Sequence, residues 1–348
     1  MSNLNRFDPY LNSDDVAALV IREYLEPAEG PDAVFFPPTF AGIGYNIDGT
    51  GDDSVCIVDT VGSQANRIEP RFAQPPLSEL VPQITIKAGD RVVNLLEAGH
   101  RAGDAIVRCT RLGAEIQKAF QAHLRGDATP LAKLAPTSLV FGVWDSRDTQ
   151  DKLPRLVAST IRAHGVRKLT RSAQYNPPVD YSQLEVFSEE EKAKAEGKSE
   201  SPLAQRGFVH VPSTGTHGGI TAREIRRDAI LALAALRLLH AGTDPNATLK
   251  LRRYILSLAL LAFTQPAVGY LRQGCVLVPA ASKPAQLHEV HANGQRKPLE
   301  LKADDLRAYA KAAASDFGVG PGHTVEFDKK LAKDEVRNAK ESGKKSKG

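Results

Sequence analysis

The sequence predicts a mixed α+β fold, and three stretches carry that expectation. Residues 138–175 pass from an apolar run through a polar corner into a second patterned run, as strand, loop, helix and strand would. Residues 82–95 read as a hairpin whose tip, Lys87-Ala88-Gly89-Asp90, is basic and glycine-containing. Two apolar runs of helical length within 221–264 are broken at Thr243-Asp244-Pro245-Asn246, which predicts paired helices.

The chain of 348 residues, 42% of them hydrophobic, is large enough to bury a substantial core. Its formal charge of +4 is mild, so attraction to a polyanion must come from local clustering of cations. Cys56, Cys109 and Cys275 stand apart in sequence, with no CxxC pair, which suggests neither a zinc site nor a disulfide framework and points to a reducing cytoplasm. The polar start, Met1 to Asp15, has no signal-peptide order, and the runs Ala229 to Leu239 and Ile255 to Phe263 are too short to span a membrane.

In chain order, Val16 to Glu26 suits a strand, with a helix nearly as good. Gly30 to Thr50, with its phenylalanines, reads as an ordered loop. Val55 to Val58 is a short strand running into a helix N-terminus at Asp59 to Glu69 that is rich in side-chain donors. A long helix is expected over His100 to Arg125. Within 138–175, Leu139 to Trp144 is expected as a strand with Phe141 and Trp144 in the core. A helix capped by Asp151 follows, with Lys152, Arg155 and Arg162 on its outer face, and Val166 to Tyr175 is a further strand. Ser188 to Ser201 lacks an apolar period and is expected to be a mobile insertion. Phe208 to Val211 is expected as a strand. Thr221 with Glu224 reads as a capping box opening a helix whose first turns carry Arg223, Arg226 and Arg227. Cys275 to Pro279 and Gln286 to His291 are expected strands, Ala303 to Ser315 a helix, and the lysine-rich 328–348 a disordered basic tail.

Catalytic signatures are missing from this inventory. The turn Thr214 to Gly219 could cradle a phosphate if it joined a strand to a helix, but it has neither the GxxxxGK[ST] nor the GxGxxG spacing. A nucleotide- or phosphate-binding enzyme using loop 214–219 is therefore the second reading. Asp145 and Asp148 with Glu69 could hold Mg²⁺, although acidic residues at strand ends more often cap helices. No catalytic residue and no cofactor is nominated. The aromatic signature of an RRM is absent as well, so stacking on bases is not expected, only backbone tracking by Arg and Lys.

Ser63-Gln64-Ala65-Asn66-Arg67-Ile68-Glu69, Ser138-Leu139-Val140-Phe141-Gly142-Val143-Trp144-Asp145-Ser146-Arg147 and Lys152-Leu153-Pro154-Arg155 resemble one known family. It is the RAMP-type backbone subunit of type I-G (formerly I-U) CRISPR surveillance complexes. Thr60-Val61-Gly62 and Asp148 depart from that pattern. The resemblance implies a modified RRM (ferredoxin-like) palm with finger and thumb insertions, spanning residues 1–327. Those insertions would be the hairpin and helix at about 83–125, the segment 185–206 and the paired helices 221–264. It further implies a non-catalytic subunit that polymerises with copies of itself along a CRISPR guide RNA and supports target DNA recognition. Its partners would be other effector subunits and a separate helicase-nuclease. The thumb would be either the hairpin around Lys87 or the 185–206 insertion. The guide phosphates would then be held by Ser63, Gln64, Asn66, Arg67, Lys87, Arg91, Arg147, Arg155, Arg167, Lys168, Arg171, Thr214, His217, Arg223 and Arg226.

Overall fold

A twisted antiparallel sheet organises the computed structural model, which describes residues 3–146, 148–213, 217–266 and 269–345. Its main strands are β1 (Val16–Pro27), β2 (Val55–Asp59), β3 (Val157–Lys168), β4 (Ile220–Ala232), β5 (Cys275–Pro279), β6 (Gln286–His291) and β7 (Arg296–Pro298), with the short Ile47–Asp48 and Tyr270–Arg272 added beside β2 and β5. β4 lies between β1 and β3, β2 flanks β3, and β6 and β5 both pair with β1, all antiparallel. The central pairs are long, from Ala18 opposite Ala232 to Leu25 opposite Ile225, and from Val157 opposite Leu231 to Lys168 opposite Ile220.

Period-2 alternation explains why these segments are strands. Leu19, Ile21 and Leu25 of β1, Ile225, Ala229 and Leu231 of β4, and Val157, Ile161 and Ala163 of β3 are buried. Their even-numbered neighbours form the opposite face, where Arg22 and Ile230 are exposed. Each inward side chain of this kind contributes roughly 1.5–3 kcal/mol when fully buried. Two of the inward positions are charged: Arg227 Nε donates to Glu23 Oε2 at 2.8 Å, and the two residues face each other across β1 and β4.

Helices cover the inward face. α1 (Val61–Ile68) begins where Thr60 Oγ1 accepts from the Ser63 amide. α2 (Pro245–Phe263) begins at Asp244, whose carboxylate accepts from the amides of Asn246 and Ala247, and it is buried almost all round through Leu251, Tyr254, Ile255 and Leu258. α3 (Ala303–Phe317) packs on α2, with Tyr254 stacked on Phe317. A separate three-stranded sheet joins Ile84–Ala88 to Arg91–Asn94 as the expected hairpin, with His323–Glu326 added in parallel.

Several expectations are corrected. Leu139 to Phe141 is not strand but part of a helix, Pro136–Phe141, bracketed by a proline at its start and by Gly142 at its end. Only Val143–Trp144 is extended, pairing with Lys152–Leu153. The helix expected from 151 to 164 is largely β3. Leu153, Leu156, Val157, Thr160 and Ile161 fit a helical face, but Val157, Ser159, Ile161 and Ala163 fit a strand equally, and the long pairing with β4 decides between them. For the same reason the expected helix at Thr221 is β4, and of the expected helical pair 221–264 only the second member is a long helix.

The helix expected over 100–125 is broken into Arg101–Gly103, Ala105–Arg108 and Gly113–Leu124. The strand expected at 208–211 lies at Val211–Ser213, against Ala173–Tyr175. Residues 188–205 hold two short helices, Glu189–Ala195 and Pro202–Gln205, the first with a capping box between Ser188 and Glu191. Ala195, Ala204 and Val209 pack together beneath them. The tail, expected to be disordered, continues as a helix over Lys329–Lys345.

Candidate nucleic-acid interface

Two cationic surfaces arise from this architecture. The first is the sheet face opposite the helices. Strand register sets Arg22 beside Asp228 and Arg162 beside Arg226. Arg22 Nε and Arg226 Nε each donate to the Asp228 carboxylate at 2.9 Å, and Arg226 also meets Glu224 at 3.1 Å. Arg162 Nη1 donates to Thr160 Oγ1 at 2.6 Å. Arg22, Thr160, Arg162 and Asp228 line a shallow groove of about 590 Å³ together with Gln286, His288 and Arg296. Of its arginines Arg22 is bridged to Asp228, while Arg162 and Arg296 make no ion pair with a described carboxylate.

The second surface is the corner that follows Gly142. Gly142 has φ +77° and ψ 150°, a region open essentially to glycine, and a Cβ there would lie 3.0 Å from Leu153 O and 3.1 Å from Arg155 N. This tight turn sets Val143–Trp144 against Lys152–Leu153. Beneath it, Arg101 Nε donates to Glu69 Oε2 at 2.6 Å while Arg101 Nη1 donates to Gly142 O at 3.2 Å. Both side chains of that pair are buried. Burial pushes the Glu69 carboxyl up to about 7, against the pull of Arg101 and Thr137.

The loop after Trp144 is tied from within. Thr149 donates its amide and hydroxyl to Asp145 Oδ2 at 2.9 and 2.7 Å, and Asp151 Oδ2 takes His123 Nδ1 at 2.7 Å. The carboxylates of Asp145 and Asp151 are thereby turned inward, while Asp148 is exposed. Outward stand Trp144, 55% exposed, Lys152, whose Nζ is 5.7 Å from the indole centroid, and Arg155, whose Nε donates to Phe141 O at 3.2 Å. A groove of about 500 Å³ opens there between Gly99–Arg101 and Lys152–Arg155. Phe141 is buried in the core, but Trp144 is not, contrary to the sequence expectation.

The fifteen residues expected to hold phosphates do not form one cluster. Gln64 is buried, donating to Asp59 Oδ2 at 2.6 Å and accepting from Ser159 Oγ at 2.9 Å, so it pins α1 to β3 from the helical side. Arg67 is committed to Asp59 at 3.2 Å and to Leu271 O at 2.8 Å. Ser63 is half-buried and Asn66 exposed on the same helix. Lys87, which approaches Glu326 at 3.6 Å, and Arg91 belong to the separate small sheet. Arg226 lies on the open face inside its carboxylate bridge, and Arg223 pairs with Asp52 at 3.1 Å. Arg167 and Lys168 end β3, and Arg171 follows; all three are exposed and make no ion pair with a described carboxylate. Arg147 and Thr214 fall outside the described residues.

His217 stacks edge-on against Tyr45, with ring centroids 5.1 Å apart, and the Tyr45 hydroxyl accepts from the Gly219 amide at 3.0 Å. The amide of Gly218 is taken by Leu169 O and that of Ile220 by Phe35 O. The amides of Gly218 and Gly219 are therefore occupied, and the loop leads into a strand, not into a helix N-terminus. Sequence reasoning missed Arg22 and Arg296 of the sheet face; only the correct strand register would have gathered them.

Among the described residues no group of three or more His, Cys, Asp or Glu side chains could hold a metal ion, and no helix is long and apolar enough to cross a membrane. Burial pushes the Cys56 and Cys275 thiols up to about 12. No curated protein matches the chain. Residues 19–168, from β1 to the end of β3 and including the whole Trp144 corner, match the family model described as CRISPR-associated protein GSU0053 (Cas_GSU0053), which supports a CRISPR-associated protein of that type.

Proposed function

We propose that the chain is a non-catalytic RAMP-type backbone subunit of a type I-G CRISPR effector complex, holding guide RNA by its phosphates. The observation that carries this reading is the match of residues 19–168 to a CRISPR-associated family. The topology supports it. The strands β6, β1, β4 and β3 lie side by side in that order, all antiparallel, with helical segments in the β1–β3 connection and α2 in the β4–β6 connection. That strand order supports reading the sheet as an RRM-like, ferredoxin-like palm.

The distribution of exposed cations supports it further. Arg155 precedes β3, the half-buried Arg162 sits within it, and Arg167, Lys168 and Arg171 close it, so cations flank a strand that itself runs about 40 Å at 3.3 Å per residue. Guide RNA laid along this line is bound by charge, without reading sequence. Copies of the chain then repeat the contact along the guide, alongside other effector subunits, a helicase-nuclease and the target DNA.

The test is RNA binding by the full chain, followed by fluorescence anisotropy across a salt series. Each phosphate neutralised on a single strand adds about 0.7 to the salt slope, so Arg167→Ala with Arg171→Ala lowers it by about 1.4. An unchanged slope removes this end of β3 from the site. The reading of loop 214–219 as a nucleotide site predicts saturable ATP binding, measurable by calorimetry; the occupied amides of Gly218, Gly219 and Ile220 argue for none.

A further inference from the structure

We infer that Trp144 is a stacking platform for a nucleobase of the bound single strand, so that the chain holds its RNA by a base as well as by phosphates. This rests on the RNA-binding reading above and deepens it, since charge alone requires no aromatic surface. Large aromatic side chains are normally buried, and the chain's only tryptophan is instead 55% exposed. It is also held in place. Gly142 admits no side chain, the paired Lys152–Leu153 fixes the indole's strand, and a Cβ on Gly103 would lie 2.9 Å from Trp144 O, so a third segment presses on the same backbone. An exposed aromatic on a rigid base loses little freedom when a flat ring settles on it.

The charge around it selects the occupant. The groove beside Trp144 contains His100, Arg101, Lys152 and Arg155 among its lining residues and no carboxylate. Of the acids that follow Trp144, Asp145 and Asp151 are buried and bonded inward, and the exposed Asp148 is not among the residues that line the groove. A cationic rim around an exposed indole fits an anionic chain that carries flat rings, and a single-stranded nucleic acid is such a chain. Every base has a π-face, so the contact tolerates any sequence, as a subunit that must accept any guide requires.

Because Trp144 is the sole tryptophan, its emission reports the site without a label. The experiment titrates the full chain with a dye-labelled oligouridylate and with an abasic oligomer of equal phosphate count, reading anisotropy and tryptophan emission together. The expected result is binding of both oligomers by anisotropy, with emission quenched by the oligouridylate alone. Trp144→Ala then weakens oligouridylate binding by roughly 5- to 150-fold and leaves abasic binding and the salt slope unchanged, while Trp144→Phe retains most of the affinity. Binding by anisotropy with no quenching, or equal weakening of both oligomers by Trp144→Ala, overturns the stacking inference and leaves the phosphate-holding reading standing. Absence of binding to either oligomer overturns both. Quenching that follows protein concentration without RNA marks Trp144 as a contact between chains and overturns the inference in favour of that role.

Discussion

The sheet face and the Trp144 corner both gather arginines and lysines, yet they handle the charge in opposite ways. On the sheet, Asp228 sits between Arg22 and Arg226, and Glu224 takes Arg226 again and approaches Lys283 at 3.4 Å, so these three cations are answered within the protein while Arg162 and Arg296 meet no described carboxylate. At the corner three acids are withdrawn, Glu69 being buried against Arg101, Asp151 against His123 and Asp145 under Thr149, while Asp148 is exposed. Lys152 and Arg155 meet no described carboxylate. A patch is available to a polyanion when its counter-charges are occupied elsewhere, and counting arginines alone would rank the sheet face above the corner.

The largest effect that can break this comparison lies under the corner. Arg101→Ala leaves the Glu69 carboxyl buried without its partner, which is expected to cost about 3–5 kcal/mol in chemical denaturation. A loss below about 1 kcal/mol would show that the pair is not the foundation of the corner. Next comes Gly142→Ala. Its backbone conformation and the crowding by Leu153 O and Arg155 N predict a loss of about 1–3 kcal/mol, with weaker quenching of Trp144 by RNA. Wild-type stability in this variant would mean that the turn is not strained as described.

On the sheet face the expected changes are smaller. Asp228→Asn removes a partly exposed bridge, so stability shifts by less than about 1 kcal/mol and Trp144 quenching at saturating RNA stays as it was. A change in that quenching would join the two surfaces into one site. The smallest expected effect concerns His164, which faces Arg226, Arg162, Glu224 and Asp228. Desolvation first, and then Arg226, hold its imidazole below the usual histidine range, and its Nε2 has no partner among the described residues. The folded chain thus keeps this ring neutral at a pH where the unfolded chain protonates it. Stability from this group is present above about 6.5 and declines as pH falls through that value toward the lowered one. His164→Asn flattens that decline in urea melts run from pH 7.5 to 5, and an identical decline in the variant would assign it to other groups.

The sequence made some elements legible and disguised others, for reasons that can be named. β1, β2, the hairpin at 84–94, β5, β6 and α3 were readable because their apolar periods stand between clear turn residues. β3 and β4 were misread as helices because Val157, Thr160, Ile161 and His164, and likewise Ile225, Ala229 and Leu236, satisfy a helical spacing as well as a strand's. Only the pairing of the two strands from Val157 opposite Leu231 to Lys168 opposite Ile220 distinguishes the two. That misreading also moved Arg226 from a strand face to a helix start. Gln64 and Arg67 look like ligand donors in sequence and are instead fasteners between α1 and the sheet. Trp144 was hidden by its apolar neighbours; Gly142, whose left-handed turn carries it outward, was the available signal.

One measurement separates the two surfaces most directly. The full chain is crosslinked by ultraviolet light to single-stranded RNA carrying 4-thiouridine, and the attached peptides are identified by mass spectrometry. The prediction is crosslinks within residues 143–171, led by Trp144 and the flanks of β3. Crosslinks confined to β1 and β6–β7, or none at RNA concentrations that saturate anisotropy, would contradict it.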